Sequence, residues 1–445
     1  MRIGRILKNI FVLLLLIFGI IIFCYIYSNY NYGNYIKSVS EREKTSFTRD
    51  SDIKYSSYSS YKLENKDFND AMFFQTIQVT PNTPYRVTCM VKTEDVQNIE
   101  GTTGGAHISI ADTTERSICL DGDNDWTKLE FLFNSKNRTS VNIAFRLGGY
   151  KEKVTGTAWF SDFKIEMGVA DTSNEWNFGC FIFKNIDVNV DVNGKVENVN
   201  LSMDSSEIQE MKENMERFAN SFEQMSKGKM NVKYDTIVIE EPITTISIDE
   251  DNGYYVDPND VYDQINDIVQ KNEYDHIYVA LKMGDKEKGN EILIQDWIGL
   301  GGMEYWGTGF SNIRLPSDKN NYIYVYDPRI NLFPEEVFIH EFLHTLERNS
   351  KDYGYDVIAL HDNSVYGYED QRLTGLRNWY EDYMNCNVEG ANGEILGVPA
   401  EMFTHKPPHN SNFNYSYELN EFKEPENIIE EIRSLFSRAT SIFAL

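Results

Sequence analysis

Short segments in which apolar and polar residues alternate fill residues 61–168. Segments such as MFFQTIQVT, YRVTCMVKT and KLEFLFNS are separated by stretches that contain Pro, Asn or Gly. Successive side chains of a strand point to opposite faces of a sheet, so this pattern predicts strands with one buried face. Closely spaced strands of this kind predict an all-β sandwich over 61–168.

Residues 171–445 follow a different pattern, in which strand-like and helix-like segments alternate. FIFKNIDVNVDV and MNVKYDTIVIEE are typical of strands, and MDSSEIQEMKENMERFANSFEQM between them has the apolar spacing of an amphipathic helix. This order predicts an α/β or α+β domain that is distinct from the sandwich.

The N-terminal segment combines basic residues with a long apolar run. Arg2, Arg5 and Lys8 precede uninterrupted apolar sequence from Ile10 to about Tyr27, close to the length that spans a bilayer. Because basic flanks stay inside the cell and no small-residue cleavage site follows the run, we expect 1–28 to be an uncleaved, single-pass transmembrane anchor with the bulk of the chain extracellular. The polar residues 29–60 are then expected to form a stalk.

The charge of the chain excludes one class of partner. The sequence has 69 acidic and 42 basic residues, giving a formal charge of −27. Nucleic-acid binding needs clustered Lys and Arg, and no such cluster follows the first eight residues. We therefore expect no nucleic-acid partner.

The segment VFIHEFLHTLERNS, residues 337–350, places two histidines four residues apart with a glutamate after the first. Pro334 suits a first helical position, and Ile339, Phe342 and Leu346 recur at helical spacing. His340 and His344 would then lie one turn apart and could bind one zinc ion, while Glu341 could reach a water bound to that ion. A helix with chance histidines is the alternative, but the chain has only seven His.

The motif His340-Glu341-Phe342-Leu343-His344 resembles that of the zincin metallopeptidases. The resemblance implies a zinc-dependent endopeptidase with an α+β zincin-like domain over 171–445. In it, zinc and Glu341 activate water for attack on a peptide bond of a protein or glycoprotein outside the cell. It also implies a tyrosine that assists the oxyanion, and the candidates are Tyr366, Tyr368, Tyr380 and Tyr383.

A catalytic zinc needs a third protein ligand and one open position. We predict that the third ligand is His361, 17 residues after His344, because histidine is scarce in this chain. Glu381, on a plausible helix as in the thermolysin-like branch of the family, and Asp362 are the alternatives.

The segments VTPNTPYRVTCMVKTEDV, DNDWTKLEFLFNS and GTAWFSDFKIEMG resemble jelly-roll carbohydrate-binding modules. The resemblance implies a glycan partner for the sandwich and a structural calcium ion at Asp162, unless that residue is a solvated loop aspartate. Trp126 and Trp159 could stack on a sugar, but we expect them in the core.

The predicted fold class is therefore multidomain: a transmembrane helix, a jelly-roll sandwich and an α+β zincin-like metallopeptidase domain. Two other functions remain open. One is a non-catalytic, glycan-binding surface adhesin on a zincin-like scaffold, although the intact Glu341 speaks against it. The other is a zinc hydrolase of a non-peptide cell-wall bond.

Overall fold

Two antiparallel sheets pack face to face in the first half of the chain and form a β-sandwich, as predicted. The computed structural model describes residues 35–419 except 57–58, 100–101, 103, 150–151, 250, 295–296, 316–333, 363–376 and 391. The strands of the sandwich are β1 (Ile36–Val39), β2 (Thr45–Asp50), β3 (Ser60–Asn69), β4 (Ala71–Gln78), β5 (Pro84–Asn98), β6 (Ala106–Ile110), β7 (Gly122–Asn134), β8 (Ser140–Leu147) and β9 (Val154–Met167). One sheet has the order β1-β4-β8-β6, and the other has the order β2-β3-β9-β5-β7.

The core of the sandwich is built from the alternating apolar residues of both sheets. Phe73 on β4 and Phe145 on β8 stack with ring centroids 5.3 Å apart, and Phe160 on β9 meets Phe73 edge to face at 5.5 Å. Trp159 is buried as predicted, and its indole N–H donates to Asp50 at 3.0 Å, but the prediction that Trp126 lies in the core is wrong, since that residue is only half-buried on β7. These contacts tie the two sheets into one apolar layer.

The sandwich begins before the boundary at residue 61 that the sequence suggested. Strands β1 and β2 lie within 29–60, the segment predicted as a stalk, and pair with β4 and β3. The burial of β2 is shallow, since none of its residues is fully buried. An edge strand with little buried surface needs few apolar residues, which explains its polar sequence.

The second half of the described chain is built on a five-stranded mixed sheet. Its strands are β10 (Glu175–Phe183), β13 (Asn231–Ile239), β16 (His276–Lys282), β17 (Gly299–Tyr305) and β18 (Thr308–Leu315), in the order β13-β10-β16-β18-β17. Strands β13, β10, β16 and β18 run parallel to one another, and β17 is an antiparallel edge strand. The other strands are β11 (Asn185–Val192), β12 (Lys195–Ser202), β14 (Ser247–Asp249), β15 (Gly253–Tyr255), β19 (Val388–Glu389), β20 (Ile395–Leu396) and β21 (Tyr417–Leu419).

Four α-helices are described: α1 (Ser205–Met225), α2 (Tyr262–Asn272), α3 (Glu336–Asp352) and α4 (Arg377–Met384). Helix α1 begins after Asp204, whose carboxylate accepts the N–H groups of Ser206 and Glu207 in a capping box. Helices α1 and α3 contribute to one apolar cluster of the sheet, while α2 and the β11–β12 hairpin contribute to another.

The predicted fold class is wrong for this part of the chain. The described residues contain 21 strands against four α-helices, and no α+β zincin-like domain is present among them. Helices alternate with parallel strands, as in β10, α1, β13, α2 and β16, and parallel neighbours require such crossovers. The alternating order left an α/β or an α+β domain open, and α+β came from the resemblance to the zincins.

The transmembrane helix predicted at 1–28 lies outside the described residues. Within 35–419, as far as the structure describes it, none of the helices is both long and apolar enough to cross a bilayer. The membrane partner and the extracellular location remain predictions.

The sandwich is joined to the second half through the end of helix α3. Lys136, which follows β7 and is 7% exposed, forms an ion pair with Asp352 and lies 3.6 Å from Glu115. The hydroxyl of Tyr353 donates to Asn82 of the sandwich at 2.9 Å. Side chains at the C-terminal end of α3 therefore contact side chains of the sandwich directly.

A second connection comes from the end of the described chain. Strand β21 returns to the sandwich and pairs antiparallel with β9, so that Tyr417 faces Met167. Phe413, just before β21, lies under the guanidinium of Arg86 at 4.6 Å. The sheet of the sandwich thus includes residues from both ends of the described sequence.

We expect Lys136→Met to lower the free energy of unfolding by about 2 kcal/mol, because Asp352 loses its buried cation, although Glu115 keeps its ion pair with Arg138. The loss should be smaller than for a fully buried pair, since the side chain of Asp352 is 37% exposed. Urea unfolding of the full chain measures the change. The control is Lys128→Met, which removes a surface pair with Glu130 and should cost less than about 0.5 kcal/mol. Equal stabilities of the two variants would contradict the assignment.

Candidate metal centre

Helix α3 carries the first two predicted ligands, as the spacing indicates. His340 and His344 are half-buried and lie one turn apart, with ring centroids separated by 4.9 Å. Phe338, Phe342 and Leu346, on the apolar side of the helix, are fully buried in the core. That apolar side fixes the helix and leaves both imidazoles at a partly open surface.

His361 lies in a turn after helix α3 and completes a group of three imidazoles. Its Nε2 is 2.8 Å from Nε2 of His340, and its ring centroid is 4.9 Å from that of His344. One ring nitrogen from each histidine lies within 4.8 Å of the others. Among the described residues, this is the only such group of His, Cys, Asp or Glu side chains that could hold a metal ion.

The donor set is one that zinc accepts. Zinc–nitrogen bonds of 2.0–2.1 Å in a tetrahedron place ligand nitrogens about 3.4 Å apart, which lies between the 2.8 Å from His340 to His361 and the 4.8 Å within which all three nitrogens lie. Three imidazoles occupy three corners and leave the fourth for water or substrate. The residues therefore fit a catalytic type of site better than a closed structural one.

Glu347, one turn after His344, links the helix to the turn that carries His361. Its carboxylate accepts the backbone N–H of Leu360 at 3.1 Å and lies 3.4 Å from Nδ1 of His344. Burial raises the pKa of Glu347, but the hydrogen bonds from His344, Lys351 and Leu360 outweigh it and lower the pKa to about 2. Glu347 was not predicted to contribute to the site, although an acid three residues after a histidine on a helix is a usable signal.

Tyr380, on helix α4, contacts His340, the first of the two histidines on helix α3. Its hydroxyl lies 2.9 Å from Nδ1 of His340. With partners at Nδ1, both helical histidines keep Nε2 for a metal, which is the usual way that protein groups orient metal ligands. Among the other tyrosines expected to assist the oxyanion, Tyr383 donates to the carbonyl of Ile358 at 3.1 Å, while Tyr366 and Tyr368 lie outside the described residues.

Glu341 is buried against the edge strand β17. It accepts the backbone N–H of Gly301, and a Cβ atom at Gly299 or Gly301 would collide with it. The glycines are therefore needed for the close approach of strand and helix. Burial raises the pKa of Glu341 to about 7, against the opposing effects of the His344 charge and the Gly301 hydrogen bond.

The structure does not bring the alternative ligands into the group. The carboxylate of Glu381 lies 3.6 Å from Nζ of Lys227 and is 43% exposed. Asp362 follows His361 in the same turn, with its backbone N–H on the carbonyl of Ala359. Asp162 has a φ of +53° at an irregularity between β5 and β9 and accepts from the hydroxyl of Ser56. The calcium ion expected there remains a prediction.

Comparison with known proteins gave matches to solved structures alone. No family model matches the chain, and no curated protein matches it. The matched structures include TmCBM61 in complex with β-1,4-galactotriose, at 14% identity and a TM-score of 0.24, covering 31% of this chain and 92% of that one. A CBM4 structure matches at 12% identity and a TM-score of 0.22, covering 30% and 87%. The CBM22-1 xylan-binding domain of Paenibacillus barcinonensis Xyn10C matches at 11% and 0.19, covering 29% and 83%.

These neighbours are carbohydrate-binding modules. The described residues of the first half form a β-sandwich, which is the architecture that the sequence predicts for a module of this kind.

We expect His361→Ala to weaken zinc binding by more than about 100-fold, because loss of a direct ligand should exceed the 10- to 100-fold cost of losing an outer partner. Glu381→Ala should bind zinc like the unmodified chain, since Glu381 pairs with Lys227. Zinc titration of both full-length variants against a competing chelator gives the affinities. Retention of zinc by His361→Ala together with its loss from Glu381→Ala would transfer the third ligand to Glu381.

Proposed function

We propose that the chain is a zinc-dependent endopeptidase that acts on protein or glycoprotein substrates. The observation that carries the proposal is the convergence of His340, His344 and His361 beside the buried carboxylate of Glu341. Three neutral nitrogen ligands, an open position and an adjacent base are the parts that metal-assisted hydrolysis needs.

The contacts give each residue of the site a role in hydrolysis. His340, His344 and His361 would hold the zinc ion, which when bound polarises water and a substrate carbonyl. Glu341 accepts a proton from the attacking water and returns it to the leaving amine. A pKa near 7 suits both transfers, because a general base works best when its pKa lies near the working pH.

Neighbouring groups keep these residues in position. The N–H of Gly301 holds the carboxylate of Glu341, and Tyr380 and Glu347 orient the two helical imidazoles. The edge strand β17 lies beside Glu341, and among the described residues no strand pairs with it on the side away from β18, which suits an extended peptide added as a further strand.

We expect Glu341→Gln to retain zinc and to lose at least about 100-fold in the hydrolysis rate, since the amide keeps the size of the side chain but cannot accept the proton. A random-sequence peptide library, incubated with full-length protein before and after zinc chelation, gives the rate. The control is Glu389→Gln, a change at an exposed carboxylate on β19. Unchanged turnover in Glu341→Gln would remove the proposed base, and cleavage of cell-wall polymer without peptide cleavage would favour the non-peptide hydrolase.

A second candidate function is glycan binding by the sandwich in a non-catalytic adhesin. The observation that favours it is Tyr55, which is 51% exposed and lies 5.9 Å from the ring of Trp126. Beside it, Arg86, Asp162 and Glu166 line a cavity of about 310 Å³ on the sandwich sheet that contains β5 and β9. An exposed ring next to charged hydrogen-bonding groups suits a pyranose face.

Glycan binding on this face predicts that zinc-free protein is retained on immobilised neutral oligosaccharides. Tyr55→Ala should lower retention about tenfold, because a stacking ring contributes about 1 kcal/mol or more to binding. Tyr417→Ala, at another exposed tyrosine that is 68% exposed on β21, is the control. Equal retention of the two variants would argue against this face, and binding by either variant leaves the hydrolase proposal unaffected.

A further inference from the structure

A cavity of about 620 Å³ lies between the sandwich and the edge strand β17. One wall comes from the sandwich, with His107 and Ser109 on β6, and the other comes from Leu300–Glu304 of β17. We call it the junction cavity, and its size is within the range of ligand sites in proteins.

The junction cavity adjoins the candidate metal centre through a single strand. Gly301 lines the cavity, and its N–H donates to the side chain of Glu341. A Cβ atom at Gly302, which also lines the cavity, would lie 4.0 Å from Cβ of His344. A peptide added along β17 would therefore pass beside both the metal centre and the cavity.

The three arginines that line the junction cavity are already paired, and the carboxylates of Asp249 and Asp257 accept backbone N–H groups of nearby residues. Arg116 forms two hydrogen bonds with Glu152, at 2.5 and 3.3 Å, and Arg348 forms an ion pair with Glu304. Arg146 is held by Asp70 through two hydrogen bonds. Paired charges offer donors and acceptors without a strong net field, so the lining suits a neutral ligand with many hydroxyl groups better than an ion.

Two polar atoms of the lining are buried and have no partner among the described residues. They are Oγ of Ser109, a residue that is 2% exposed, and Oε2 of Glu304. Buried polar atoms are nearly always hydrogen-bonded, so an orphaned hydroxyl and carboxylate oxygen on two residues that line one cavity indicate a ligand or ordered water that supplies the missing bonds.

We propose that the junction cavity binds a neutral sugar unit attached to a peptide that lies along β17. A sugar hydroxyl can donate to Glu304 and accept from Ser109, while the paired arginines and carboxylates contact the rest of the ring. The sandwich would thereby form part of the substrate site and select glycosylated chains. This inference rests on the proposed endopeptidase function and names its substrate class.

Binding can be tested separately from cleavage with the zinc-loaded, full-length Glu341→Gln protein. The probe is a peptide library of random sequence around a central threonine, prepared with and without one N-acetylhexosamine on that threonine. We expect glycosylated peptides to be retained about tenfold better than plain ones. Adding Ser109→Ala should reduce this ratio about fivefold, the effect of one lost hydrogen bond, whereas Ser140→Ala at the exposed start of β8 should not change it.

The outcomes distinguish the two proposals. A ratio near one, or a ratio that Ser109→Ala leaves unchanged, overturns the sugar site even if the unmodified chain cleaves peptides. A high ratio that falls in Ser109→Ala supports the sugar site even if the unmodified chain cleaves neither library, in which case the endopeptidase function fails alone.

Discussion

The close contact between strand β17 and helix α3 is the constraint on which the candidate site depends. Glycines at 299 and 301 let the strand approach until a backbone N–H reaches Glu341. The same contact removes Glu341 from water, which raises its pKa. The packing of strand on helix and the proton affinity of Glu341 thus have a common origin in two residues without side chains.

The helix and its two histidines could be predicted because their signals are local. Apolar residues at helical spacing define one face of α3, and His340 and His344 follow from their separation by one turn. The turn with His361 could be proposed from the scarcity of histidine, but its position depends on Glu347 and Tyr383, which contact its backbone from two helices. Such long-range hydrogen bonds leave no periodic signal in a sequence.

The prediction of the sheets from the sequence was limited in the same way. The sandwich was predictable from alternation, but β1 and β2 were not, because edge strands bury too little surface to need an apolar pattern. In the second half the individual strands and helices were recognised, yet the fold class was wrong. Whether neighbouring strands run parallel depends on their order in the sheet, and β17 alone reverses direction there among the described strands.

The pairing of β21 with β9 has a consequence for the order of assembly. Ser416 and Glu166, which share a hydrogen bond at this pairing, are 250 residues apart. During synthesis the sandwich emerges first, but β9 lacks this partner at residues 165–167 until the strands of the mixed sheet have been made. Closing a loop of this length is slow compared with pairing neighbouring strands. The last described strand can therefore join the sandwich only after the middle portion of the chain has been synthesised.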